Sequence, residues 1–398
     1  MMERTYQYYR ETFRGRLMPL AFVDLDLFDA NIEAIQERAQ GRSICVASKS
    51  VRCVALMKRI FGRSPQFQSV MAYSAREAVF LSRQGVSDTI LVAYPVWGEI
   101  EQCGLADELK AGKRITLMVD CPDHVDRLEQ FGAKQGVHVP ICMDVDMSSE
   151  YPGVYFGVRR SGIRTPEQAL QLWERIRGCQ HIAFDGIMGY EAQVAGLQDY
   201  APWSRSRNLL IRVLKKRSIH TVAQRRAAIV HALKAAGCKL RFVNGGGTGS
   251  VETTVEDDVV TEVTVGSGFY SPTLFDHYVR FKHLPAAGFA IEITRRPAPT
   301  IFTCHGGGYV ATGAAGPDKL PQPYLPSGAR LIAQEGAGEA QTPVVYEGPE
   351  RLGIGDPIFL RHSKAGELCE RFNTLLLVSK GAVVDEVPTY RGEGHCFL

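Results

Sequence analysis

Eight apolar runs of strand length, separated by helical patterns, restrict this chain to very few folds. They cover residues 43–49, 67–73, 89–96, 114–120, 138–146, 182–190, 240–246 and 261–266. Because the runs are apolar at consecutive positions, they read as strands buried on both faces, as in a parallel sheet covered by helices. The segments between them carry helix-start chemistry. Ser74 has Glu77 three positions on, and Thr165 is followed by Pro166 and then Gln168, so each opens with a side chain able to cap free amides. Eight such units predict a closed (β/α)8 barrel of the TIM type, with an open doubly wound sheet as the alternative. A further strand at 20–26 and an amphipathic helix at 27–39 precede the first run.

Past about residue 285 the pattern changes. Helical periodicity ends, and short strand-like segments at 291–294, 300–303 and 375–378 stand among glycines and prolines, as in an antiparallel β domain. The expected division is a barrel over 20–285 and a smaller C-terminal β domain over 286–398, with 1–19 packing on the latter. At 398 residues and 45% apolar content the chain can bury both cores. The segment 306–328 is long for a connection without structure of its own, which points to a functional loop.

Charge excludes several classes of partner. The formal net charge is only +3, and no basic run suggests nucleic acid or a membrane surface. Lys215-Lys216-Arg217 and Arg225-Arg226 fall in a helical stretch and read as a solvated face. The N-terminus lacks the apolar core of a signal peptide, and no uncharged stretch reaches membrane-spanning length. Ten scattered cysteines without a Cys-x-x-Cys pair fit a reducing compartment, where thiols serve as small core hydrophobes. A soluble, cytoplasmic protein acting on a small molecule is expected.

Barrel enzymes carry their chemistry at the C-terminal ends of the strands. There stand Lys49, Tyr73, Asp144 with Asp146, Tyr190 with Glu191, Asn244–Gly249, and the run Gly266-Ser267-Gly268-Phe269-Tyr270. A lysine at a strand end can lose solvation, favour its neutral amine and form a Schiff base with an aldehyde cofactor, although by position alone most such lysines are solvated surface charges. The two glycine-rich segments follow the last two strands, where such barrels hold phosphate on bare amides. Gly245-Gly246-Gly247 also suits a tight turn, and it lacks the Walker A lysine. Asp144 and Asp146 are open to two readings, loop caps or a metal pair. Of Arg159 and Arg160, in the loop after a central strand, one is expected to face the cleft.

The order of these motifs is recognisable. Val23-Asp24-Leu25-Asp26 and Asn31, the strand-end Lys49, Ser74-Ala75-Arg76-Glu77-Ala78, Asp144-Val145-Asp146, Arg160-Ser161-Gly162, Gly186–Glu191 and Asn244-Gly245-Gly246-Gly247-Thr248 together resemble the fold-type III pyridoxal phosphate enzymes. Within these the chain is most similar to the D-threonine aldolase and D-serine dehydratase-like group, which includes amino acid deaminase/aldolase members. The resemblance spans nearly the whole chain. It implies an alanine-racemase-like barrel with pyridoxal 5'-phosphate on Lys49, the phosphate held by Gly246, Gly247 and Thr248 with Ser267, Gly268 or Tyr270. It also implies Arg160 near the phenolic oxygen, Tyr190 by the ring, and head-to-tail homodimers with sites at the subunit interface.

Related lyases use a divalent metal bound by a histidine and an Asp or Cys two positions later. Here His362 is followed by Lys364, and an ammonium is no metal ligand. Three readings of His362 follow: a metal-free acid/base assisted by the charge of Lys364, a ligand completed by Glu367, Cys369 or the segment 392–396, or a structural histidine. The resemblance implies a lyase that cleaves or dehydrates a D-configured or unusual β-hydroxy amino acid. The alternatives are a racemase, whose second base across from Lys49 would be a tyrosine of a partner subunit's β domain, with Tyr309 and Tyr324 as the candidates, and a non-catalytic cofactor-binding protein, against which the β domain argues. Arg159, Arg160, Arg361 and Arg391 are the candidates for the substrate carboxylate.

Overall fold

The computed structural model describes residues 4–99, 102, 104–200, 205–314 and 316–397; Cys103 lies outside them. The chain opens with the helix Tyr6–Thr12 and strand β1 (Leu20–Asp24), then the helix Leu25–Arg38, capped by the Asp24 carboxylate. Strands β2 (Ser43–Ala47), β3 (Phe67–Ala72), β4 (Thr89–Val92), β5 (Arg114–Val119) and β6 (Val139–Asp144) follow, alternating with helices. After a hairpin, β7 (Ser149–Tyr151) and β8 (Val154–Phe156), come β9 (Ile182–Gly189), β10 (Phe242–Gly245) and β11 (Glu262–Val265). The eight strands β2–β6 and β9–β11 pair in parallel and close into a barrel, β11 on β2 and β10 on β9. The open doubly wound alternative is thereby set aside.

The predicted strands match these eight, with ends that run long. β2 stops at Ala47, and Lys49 stands beyond it in a 3-10 turn, Ser48–Ser50. β4 stops at Val92, short of Pro95, which has no N–H for a ladder. The helix starts hold: Ser74 accepts from Glu77 N, and Thr165 with Gln168 forms a full capping box. Glu77 departs from the box pattern, since its carboxylate takes the amide of Tyr73 instead.

The C-terminal strands are β12 (Ala287–Ala298), β13 (Ile301–His305), β14 (Gln322–Leu325), β15 (Arg330–Leu331), β16 (Gln341–Val345), β17 (Pro357–Arg361), β18 (Thr374–Ser379) and β19 (Ala382–Pro388). They form a nine-stranded sheet into which β1 inserts, antiparallel to β12 and parallel to β18. Residues 20–24 thus belong to this sheet, and the chain enters the barrel only after the Leu25–Arg38 helix. The N-terminal helix also packs here: the rings of Tyr9 and Phe13 lie 4.9 and 5.0 Å from Phe22, and the Tyr9 hydroxyl donates to Asp24 at 3.0 Å.

One helix overturns a sequence reading. In Arg205–Ala235 the positions Lys215, Ser218, Val222, Arg226, Ile229 and Leu233 are all buried, a stripe at three- and four-residue spacing facing the barrel. Lys215 pairs with Asp199, and Arg226 with Glu191 and Asp257, so two of the cations read as solvated are core residues.

Candidate active site

The C-terminal barrel mouth opens into a cavity lined by Lys49, Arg160, Tyr190, Gly246, Gly247, Thr248 and Ser267, among others. Lys49 is brought there by a turn that is tied on every side. Ser48 Oγ donates to Met71 O of β3 at 2.9 Å, and Arg52 Nε donates to Lys49 O at 2.9 Å. Arg52 has φ +50° and is ion-paired with Glu370 of the β domain, while Tyr390 N donates to Arg52 O at 3.0 Å. The β domain thus holds the lysine turn from outside. The Lys49 side chain projects into open space, yet the surrounding walls desolvate its amine. That desolvation, then the charges of Lys364, Arg160 and Arg52, lowers its pKa and favours the neutral amine.

At one end of the cavity the glycine loops come together. Gly246 takes φ +86°, which only glycine adopts without strain. Gly247 and Gly266 leave no room for a side chain: a Cβ on Gly247 would stand 2.9 Å from Ala195 Cβ, and one on Gly266 2.6 Å from Ser50 Oγ. Thr248 Oγ1 accepts from Gly268 N at 3.0 Å, so its own hydrogen is free to donate. Among the described residues, the amides of Thr248 and Ser267 meet no protein acceptor. Bare amides and a free hydroxyl hydrogen in a glycine-lined cradle fit a phosphate.

Arg160 lies along the middle of the cavity. It donates to Ala93 O at 3.0 Å, approaches Asp144 at 3.3 Å, and sits 5.1 and 5.9 Å from the rings of Tyr94 and Tyr190. Burial pushes Asp144 up to about 7, against the pull of Arg160 and with a push from Asp120. Burial likewise pushes Tyr190 up to about 12, so its hydroxyl keeps its proton. Asp146 pairs with Arg164 and caps Ser148 while Asp144, at the end of β6, faces Arg160, so each aspartate has its own partner, and among the described residues they form no joint metal site.

Arg159 is exposed and stacks on Tyr155, away from this cavity. Arg361 is held by both oxygens of Asp276. Gly268 spends its amide on Thr248, and Tyr270 is buried with its hydroxyl on Val51 O at 2.8 Å, because residues 269 and 270 pack against Phe28. Neither lines the cavity.

An outer cavity continues from the first, sharing Lys49, Tyr73, Tyr94, Lys364 and Ala365, and it reaches Tyr309, Thr312, His362, Glu367 and Arg391 on the β domain. Lys364 Nζ donates to Thr312 O and Oγ1, both at 3.2 Å, and Glu367 accepts from Thr312 N at 3.0 Å. His362 stands behind them, 3% exposed, with Nε2 2.7 Å from Ala365 O. That contact assigns the proton to Nε2 and leaves Nδ1 a buried acceptor without a partner. Burial drops the ring to about 4, so it is neutral.

Among the described residues no metal set forms around His362. Cys369 gives its thiol to Val51 O, His395 packs on Phe80, and Lys364 stands where a second ligand would be needed. Among the described residues the only group of three ligating side chains is Asp120, Cys121 and His124, beyond the end of β5. The residues at His362 do not fit a divalent ion.

Sequence reasoning missed Arg52 and the Glu191–Arg226 pair. The first has no motif around it; the second was signalled by the helical stripe described above.

A barrel with a strand-end lysine, a glycine cradle and an added β domain defines a class of cofactor-dependent barrel enzymes. Residues 23–273 match the model of the alanine racemase N-terminal domain, and the chain belongs to that family. It is 24% identical over 258 residues to a 3-hydroxy-D-aspartate aldolase of Paracoccus denitrificans (strain Pd 1222), covering 63% of this chain and 59% of that relative. It is 23% identical to a D-threonine aldolase of Arthrobacter sp., covering 76% and 74%. Among solved structures, D-threonine aldolase from Filomicrobium marinum superposes with TM-score 0.79 at 18% identity, over 94% of this chain and 95% of that one. D-threo-3-hydroxyaspartate dehydratase from Delftia sp. HT23 gives TM-score 0.73 at 17% identity, over 95% and 98%. These two likenesses show the shared fold.

Proposed function

We propose that the protein is a pyridoxal phosphate-dependent lyase acting on a D-configured β-hydroxy amino acid, by retro-aldol cleavage or dehydration, without a metal ion. The carrying observation is that one cavity joins the desolvated Lys49 amine, a glycine cradle and the Lys364 ammonium. The names of the relatives, aldolases and a dehydratase of hydroxy amino acids, support the same reading. When bound, pyridoxal phosphate supplies the electron sink that makes bonds at the substrate Cα labile.

The residues of this chain divide the remaining tasks. Thr248 and Ser267 would hold the phosphate through their free amides and the Thr248 hydroxyl, Gly246 and Gly247, with their own amides turned to Glu191 and Ser250, would shape the cradle, and Arg160 and Tyr190 would flank the ring. Lys49 would carry the cofactor on its amine. Lys364, fixed by Thr312, places positive charge where a β-oxygen would gain negative charge, worth most where water is excluded. His362 lines the outer cavity, neutral with its proton on Nε2, and its Nδ1 would be the acceptor for the β-hydroxyl proton. A racemase would need a second base across the cofactor from Lys49: within this chain Tyr324 lies under Arg361 outside both cavities and Tyr309 lines only the outer one, so neither supplies it without a second copy.

The division into a cofactor barrel, entered after the Leu25–Arg38 helix and running to about residue 285, and a β domain that includes β1 and completes the site is part of this proposal. So is a homodimer: Tyr94 and Val310, 50% and 46% exposed, are apolar residues of the outer cavity that a second copy would cover. A cytoplasmic setting agrees with nine free cysteines among the described residues.

Incubation of the full-length protein with pyridoxal phosphate and D- or L-threonine, serine, alanine and 3-hydroxyaspartate tests the reading. Expected are a visible absorption band absent in Lys49→Ala, and aldehyde or oxo acid released from D-hydroxy substrates with a chelator present. A colourless wild type would sink the cofactor assignment, and loss of activity in chelator would sink the metal-free one. Full turnover in His362→Ala would remove that residue from the mechanism.

A further inference from the structure

We propose that Glu191 and Arg226 are positioning residues that set the phosphate cradle from behind, one fixing the glycine loop and the other neutralising it. This rests on the pyridoxal phosphate reading above. The Arg226 guanidinium is 2% exposed and enters from the helix Arg205–Ala235. Its Nη1 donates to Asp257 at 2.7 Å; its Nη2 donates to Gly189 O at 2.8 Å and to Glu191 Oε2 at 2.9 Å. The same Glu191 oxygen accepts from Gly246 N at 3.1 Å. The other oxygen accepts from Ser250 Oγ at 3.0 Å and from the Thr254 hydroxyl. One carboxylate therefore binds the first loop glycine, the two hydroxyls closing the following turn, and the guanidinium.

Two consequences reach the cavity. First, the Gly246 amide is turned onto Glu191, which fixes the path of the loop that presents the free amide and hydroxyl of Thr248. Second, charge is balanced behind the loop. Without Arg226, Glu191 would set an uncompensated buried negative charge directly under a phosphate site, against the anion it should receive. The glycines at the ends of β9 and β10 are built around the same group: a Cβ on Gly189 would stand 3.2 Å from Arg226 Nε, and one on Gly245 3.0 Å from Nη2. Buried ion pairs are poor sources of net stability, since well-packed apolar residues often replace them without loss. Stability alone therefore does not account for this pair, whereas placement of the loop does.

The test compares pyridoxal phosphate with pyridoxal, which has the same aldehyde and no phosphate. The full-length wild type, Glu191→Gln, Arg226→Lys and the milder Ser250→Ala are each reconstituted with either compound, read by the lysine-bound absorption band, and melted. The expected result is a fall of about tenfold in affinity for pyridoxal phosphate, near 1.4 kcal/mol, with pyridoxal binding little changed. Asp257→Asn, which touches Arg226 but no loop atom, should lower the melting temperature and keep the wild-type preference for the phosphate ester. If folded variants keep that preference, the proposal is overturned; should the two charge variants not fold, Ser250→Ala decides alone. A wild type that binds neither compound would instead refute the cofactor reading.

Discussion

Glu77 gives the sharpest quantitative test of the packing behind Lys49. Its side chain is fully buried on the helix Ala75–Arg83, accepting from Tyr73 N at 2.8 Å and from the Tyr390 hydroxyl at 2.9 Å. Burial pushes it up to about 7 from 4.5, although hydrogen bonds and Arg52 pull the other way. The folded protein therefore keeps a proton that the unfolded chain releases between those two values. Stability from this group is complete below the unfolded pKa and falls as pH rises through the folded one. The gap of 7 less 4.5 is 2.5, or on the order of 3 kcal/mol in full. Glu77→Gln carries no titrating proton and loses that slope. In urea unfolding at about pH 5 and about pH 8, the variant should gain roughly 2–3 kcal/mol on the wild type across the interval. Other buried acids such as Asp144 are common to both proteins and cancel. Parallel pH profiles would refute the reasoning, because they would mean that Glu77 is ionised in the folded state.

Three further outcomes are expected. Lys364→Gln removes the charge that ranks next to desolvation in lowering the Lys49 pKa, so the pH at which Lys49 combines with pyridoxal phosphate should move up; an unmoved profile would detach Lys364 from the site. Gly266→Ala forces a methyl within 2.6 Å of Ser50 Oγ and 2.9 Å of Ala47 Cβ, costing about 1–3 kcal/mol by overpacking; both melting temperature and cofactor affinity should fall. Tyr390→Ala opens a void beside Phe80, 5.5 Å away, and Glu77, for which about 3–5 kcal/mol is expected, seen as a lower urea midpoint.

The legible parts of this chain share a property: their information is local. Each barrel strand is a short apolar run bounded by its own turn, and Ser74 and Thr165 cap helices within four residues of themselves. The glycine loops were legible for the same reason, since Gly246 at positive φ is a requirement of a single position, whereas the contact of Gly266 with the distant Ser50 shows only in the fold. The strand ends were not, because a ladder stops where neighbouring registers run out, as β2 does two residues before Lys49. β1 was assigned to the barrel because its burial on both faces looks the same from the sequence whether its neighbours are barrel strands or β12 and β18.

The charged residues show why local reading fails at the site. In the Arg205–Ala235 helix a cation on the buried stripe is invisible to a count of charges but visible to the period, since Arg226 falls in register with Val222, Ile229 and Leu233. Its partners Glu191 and Asp257 lie 35 and 31 residues away, so only the folded barrel shows that its charge is met. A far longer stretch of chain separates Lys49 from Lys364, which no motif links, and whose encounter depends on Arg52 and Glu370 joining barrel to β domain while Thr312 fixes Lys364. Two lysines in one cavity are adverse to one another by simple electrostatics. That penalty falls on the protonated Lys49 amine, and so the repulsion that would destabilise an ordinary pocket favours the neutral amine that an aldehyde cofactor requires.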